Sequence, residues 1–136
     1  MKLAVIFTGH FGKRQLAALE QLKLAWAGEE HTMKLLILSI NQCPEVDMTG
    51  DHGAIFETSL LSQLQPDLVH LDKLPDKETF PANDPDGDSW GSHRRDPHNV
   101  LFGILGDDPR EYNEEKARNL LKTIINWLTR LVLDVY

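Results

Sequence analysis

Two short apolar runs with one amphipathic stretch between them limit what this chain can fold into more than any other feature. Leu3-Ala4-Val5-Ile6-Phe7 ends at Thr8-Gly9-His10, and Lys34-Leu35-Leu36-Ile37-Leu38-Ser39-Ile40 is the second run. Neither alternates with polar residues, which suits strands covered on both faces of a sheet. Between them, Lys13 to Ala27 places Leu16, Leu19, Leu22 and Trp26 three and four residues apart, one apolar face of a helix, and Gly28 is a stop signal. Strand, helix and strand with short connectors form a βαβ unit, which favours a parallel pair and a right-handed crossover. The expected class is therefore α/β. His10 falls at the carboxyl end of the first strand, where ligands collect in open α/β sheets. A turn histidine bonded to backbone fits that position equally well.

The rest of the chain carries two more helical patterns. Ile55 to Gln65 reads as a helix with Leu60, Leu61 and Leu64 inward, ended by Pro66. Asp67-Leu68-Val69-His70-Leu71 reads as a brief extended segment with His70 facing solvent. Asn113 to Val135 sets Ala117, Leu121, Ile124, Leu128, Leu131 and Val135 on one face, with Asn113 as cap and Glu114 and Glu115 at the positive end. Val100 to Leu105 is a third apolar run. Pro75 to Asn99 has no period of either kind; a loop this long inside a compact domain is a binding loop, a lid or a disordered excursion. Trp90 within it either covers a substrate or anchors the loop. Asp84-Pro85-Asp86-Gly87-Asp88 does not make a calcium loop, because its glycine comes too early and Arg95 stands where the closing acid belongs.

At 136 residues the chain is read as a single domain spanning 1–136. A net charge of −7 argues against a nucleic-acid surface, since His93-Arg94-Arg95 is the nearest approach to a basic cluster. No run approaches a membrane span. The one cysteine, Cys43, excludes an internal disulfide and reads as a bystander thiol in a reducing, cytoplasmic setting.

The densest chemistry lies in Gly50-Asp51-His52-Gly53-Ala54-Ile55-Phe56-Glu57-Thr58-Ser59, at the mouth of the second helix. Small residues let a substrate approach the backbone, and a helix start holds polar groups in fixed geometry. An acid-capped helix after a polar turn accounts for the same residues.

This stretch, continued by Leu60-Leu61 and Pro66-Asp67-Leu68-Val69, resembles the His-Ala/Gly-Gly-x-x-Glu-Thr-Ser segment, leucine-rich helix and Pro-x-Leu-Val continuation of the creatininase (creatinine amidohydrolase) family. Thr8-Gly9-His10-Phe11-Gly12-Lys13 is similar to the family's Gly-His-Gly-Gly-Asn turn, with Phe11 and Lys13 as departures. Gly103-Ile104-Leu105-Gly106-Asp107-Asp108-Pro109, running into Glu115-Lys116-Ala117, resembles its Gly-x-x-Gly-Asp-Pro segment and final helix. The resemblance implies a three-layer α/β/α sandwich with a mostly parallel sheet and metal-dependent hydrolysis of amide C–N bonds, often in cyclic amides. It implies His10 as a metal ligand and His52 as a proton shuttle assisted by Asp51. It further implies Glu57 at the substrate and metal end of the site, and zinc, manganese or iron as cofactor. Trp90 is the loop candidate for substrate contact.

The family's N-terminal Gly-Ser-x-Glu-x-His-Gly segment and downstream Thr-Asp, which supply further metal ligands, have no counterpart here. The chain is therefore expected to correspond to the C-terminal portion of the family fold. It is also expected to associate with itself or with the missing N-terminal portion, because an uncovered apolar sheet edge invites pairing. The alternative is a non-catalytic remnant or partner subunit that keeps the fold without hydrolysis.

Overall fold

In this computed structural model the structure describes residues 2–10, 12–46, 50–82, 88 and 90–135. They belong to two compact units: Met1–Met48 with Lys122–Tyr136, and Thr49–Leu121. The fold is mixed α/β with a parallel sheet. Among the described residues no helix is long and apolar enough to cross a membrane.

The first unit begins with the βαβ arrangement. Strand β1 (Leu3–Thr8) pairs in parallel with β2 (Lys34–Ser39), from Leu3 opposite Lys34 to Thr8 opposite Ser39. Helix α1 (Lys13–Ala27) connects them and ends where the Gly28 amide donates to the Leu24 and Ala25 carbonyls at 3.1 and 3.2 Å. Strand alternation sends Leu36 and Leu38 of β2 to one face. There they pack with Cys43 and with Trp127, Leu128 and Leu131 of helix α3 (Glu114–Val135), whose residues from Lys122 onward belong to this unit. Ile37 turns the other way and shares a depression with Leu16 and Leu19 of α1. A helix thus lies on each face of the sheet. The last turn of α3 is tied back by Lys34 Nζ, which donates to the Val135 carbonyl at 2.6 Å, and by an Arg130–Glu45 ion pair.

Two expectations need correction here. Leu3–Phe7 was expected to be covered on both faces, yet Val5 and Phe7 are 42% and 40% exposed. By register they share a face with Leu36 and Leu38, so α3 covers β2 and leaves the β1 side of that face open. The second run also stops short: Ile40 leaves β2 and begins a 3-10 turn, Ile40–Gln42, where the Gln42 side chain accepts from the Ser39 amide at 2.9 Å.

In the second unit, α2 runs Ile55–Leu64. Its expected inward leucines are less covered than their spacing suggests. Leu61 and Leu64 are 40% and 63% exposed, and Ser59 is the buried position. Asp67–Leu71 is not a continuous extended segment, although Val69 keeps extended backbone. Pro66, preset for a turn, opens a 3-10 turn at Pro66–Leu68, and a second follows at Leu71–Lys73. The run Val100–Leu105 is likewise folded into turns, with the Phe102 amide donating to Asn99 and the Ile104 amide to Leu101. In the loop from 75 to 99, Asp76 caps its own turn through the Thr79 amide and hydroxyl at 2.9 and 3.0 Å. Arg110 holds the loop's start by donating to the Pro75 and Phe80 carbonyls at 2.6 and 2.8 Å. Asp84-Pro85-Asp86-Gly87 lies outside the described residues. Arg94, of the short basic run His93-Arg94-Arg95, is buried, and its carbonyl accepts from the Gly103 amide at 2.8 Å. Asn113 caps α3 as expected, its side chain accepting from the Lys116 amide at 2.9 Å.

Candidate active site

The residues around the start of α2 are held by two carboxylates acting in opposite directions along the chain. Asp51 lies before the helix, and its oxygens accept from the Phe56 and Glu57 amides at 2.6 and 3.2 Å. Glu57, in the first turn, reaches back and accepts from the Gly53 amide at 2.7 Å. First-turn amides have no partners within a helix, so each such bond stabilises the start by about 1 kcal/mol. Negative charge is also favoured at this end of the helix. Burial pushes the Asp51 carboxyl above its ordinary range. The amides of Phe56 and Glu57 oppose that, and the charges of Glu57 and Asp107 add to it.

His52 is fixed through its backbone. Its amide donates to the Leu105 carbonyl at 2.9 Å and its carbonyl accepts from the Leu105 amide at 2.8 Å, an isolated antiparallel bridge that leaves the residue exposed. Gly53 follows with φ +60°, and Gly106, beyond the bridge, has φ +117°. A Cβ on Gly106 would stand 2.8 Å from the Asp51 Cβ and 3.5 Å from Trp90 Cζ2. The Trp90 ring therefore reaches the Gly106 turn, while its own amide and carbonyl are held by Asp88 and Arg95. Asp51, His52, Glu57 and Trp90 all belong to this unit.

His10 belongs to the first unit. It follows β1 and is exposed, with its carbonyl accepting from the Thr8 hydroxyl at 2.7 Å. Its ring lies over Gly12, where a Cβ would stand 2.6 Å from Nε2.

Sequence reasoning missed the wall opposite Glu57. A cleft of about 290 Å³ runs from Gly53 and Glu57 along Leu61 to Leu68, His70 and Ile104. His70 is exposed, as its alternation suggested, yet it also lines this cleft. Nearby, Asp108 is buried, which raises its pKa, but the Arg110 guanidinium and amide bonded to it outweigh that and hold the carboxyl below its usual range.

A hydrolytic zinc site needs about three protein ligands. Within neither unit do three His, Cys, Asp or Glu side chains of described residues come together to hold a metal. The donor set of either unit does not by itself fit such a centre.

The sequence profile of the creatininase (creatinine amidohydrolase) family matches residues 1–132. Among solved structures, the chain resembles a creatinine amidohydrolase at 26% identity and a TM-score of 0.55, over 94% of this chain and 54% of that one. A glutamate-to-glutamine variant of creatininase complexed with creatine matches at 26% identity and 0.54, over 96% of this chain and 55% of that one. A form of that variant described as zinc–zinc matches at 25% and 0.55, over 97% and 55%. The chain thus spans just over half the length of the solved relatives it matches. No curated protein matches it in sequence.

Proposed function

This chain belongs to the creatininase family, and from that premise we propose that it carries the substrate-holding and proton-transfer part of an amidohydrolase that cleaves amide C–N bonds. The observation that carries the reading is the reciprocal clamp on α2, which fixes Glu57 at the edge of a cleft; His52, five residues earlier, is held by its own backbone bridge to Leu105. In this reading Glu57 accepts the N–H of an amide substrate. His52 exchanges the proton that the departing nitrogen needs, since imidazole changes charge near neutral pH. Asp51 acts through α2 as a positioning residue, because its oxygens are engaged by backbone amides. Trp90, beside the Gly106 turn, is the aromatic surface available to the substrate.

A solved relative described as zinc–zinc type supports a divalent metal in the complete site, with zinc, manganese and iron all suited to His and carboxylate donors. His10, at the carboxyl end of β1, is the chain's candidate ligand. Within neither unit do the described residues gather a donor set for that metal. That shortfall favours the second reading, in which this chain is a partner subunit or non-catalytic relative that works only when joined by further ligands. The half-open apolar face at Val5 and Phe7 supports association with a second copy or with a polypeptide supplying the remainder of the family fold. The free, buried Cys43 supports a reducing, cytoplasmic setting.

The test is hydrolysis of creatinine and simple amides by the full chain with zinc or manganese, for wild type, His52→Ala and Glu57→Gln. Activity that falls at least a hundredfold in His52→Ala, with KM raised in Glu57→Gln, is the expected outcome. No turnover in wild type under any metal would favour the partner-subunit reading.

A further inference from the structure

The cleft beside α2 is larger and more apolar than a small polar amide requires. Its walls include Leu61 from α2, Leu68 and Leu71 from the turns that follow, and Ile104 from the later chain; the polar side chains among its lining are Glu57, Thr58 and His70. Leu61 and Leu68 are 40% and 61% exposed, so apolar surface stands open to water at its mouth. One Glu57 oxygen takes the Gly53 amide, and the other accepts nothing from the described residues. Apolar walls with one or two placed polar groups are the usual composition of a small-molecule site. At about 290 Å³ the cleft has room for one ring and a short polar head, and not for a much larger ligand.

We propose that this cleft selects amides bearing an apolar, ring-sized substituent, the amide N–H donating to Glu57 and the substituent lying on Leu61, Leu68, Leu71 and Ile104. The proposal rests on the reading of Glu57 as the substrate-holding group. A small polar amide would lose its hydration against these walls and regain one hydrogen bond, whereas a ring removes apolar surface from water on both partners. The free carboxylate oxygen sets the polar end: it accepts N–H and repels a second carboxylate.

The test is titration of the full chain with benzamide, acetamide and benzoate, followed by backbone amide NMR shifts. The same titrations on Glu57→Gln and on Leu68→Asn, a change at a position 61% exposed, complete the set. Benzamide is expected to bind about tenfold more tightly than acetamide, with shifts concentrated in the first turns of α2 and in residues 68–74. Both variants should weaken it severalfold, and benzoate should bind least. Benzamide binding no tighter than acetamide, or unchanged in both variants, would overturn the proposal. Binding with this selectivity but no hydrolysis would count against the amidohydrolase reading alone. Hydrolysis of amides without this selectivity would count against the cleft assignment alone.

Discussion

Gly106 shows how closely the turn opposite His52 is fitted. With φ +117° it holds a conformation that L side chains rarely adopt, and an added Cβ would meet the Asp51 Cβ at 2.8 Å, a backbone-anchored atom that cannot swing aside. Gly106→Ala is expected to cost about 2–3 kcal/mol of stability, read by denaturant unfolding, with Trp90 fluorescence altered because the same turn touches its ring. Asp51 offers a test by pH. Its carboxyl is raised, chiefly by burial, so its ionised form opposes folding at neutral pH; that penalty fades as pH falls through its folded pKa toward the ordinary range. In matched unfolding curves for wild type and Asp51→Asn, wild type should therefore gain stability relative to the variant on acidification. A constant difference would mean that Asp51 does not titrate in that window. The capping by Asp51 and Glu57 was legible in the sequence because both lie close along the chain and bond the start of α2 locally, whereas the bridge from His52 to Leu105 was not. Arg94 was not: nothing in His93-Arg94-Arg95 signals that its middle member is buried.

Helix α3 illustrates what periodicity reveals and what it leaves out. Its expected stripe is real, with Ala117 and Ile124 fully covered. Its most consequential residue is Trp127, which packs with Leu38 and Cys43 and was not in that stripe. Trp127→Ala should destabilise the first unit by about 3–5 kcal/mol, detectable as a lowered or separate thermal transition. The spans of β1, α1, β2 and α3 were readable because long patterned segments carry their own period. The segment after α2 was not, because a proline at its start produced 3-10 turns where apolar alternation suggested extension. The leucines of α2 were misjudged for a related reason: spacing identifies a face, and only tertiary neighbours decide whether that face is covered. The cleft escaped notice for the same cause, since Glu57, the Leu68–His70 segment and Ile104 line it from separate parts of the chain.

At the scale of the whole molecule, two units each carry part of the residue set that the family resemblance singles out. On the partner-subunit reading, zinc or manganese after chelation and reloading should bind at well below one equivalent per isolated chain, because within neither unit do the described residues gather three donors. Near-stoichiometric metal lost in His10→Ala would mean instead that association completes a site. The closing contacts of the first unit carry a further consequence, for how the protein is made. Lys34 finds its partner at Val135, 101 residues later, and Glu45 finds Arg130, 85 residues later. On the ribosome, β1, α1 and β2 emerge long before the helix that covers Leu38, while the contiguous second unit can compact in between. The early βαβ segment must therefore wait with an apolar face bare, the interval in which a nascent chain is most in need of a chaperone.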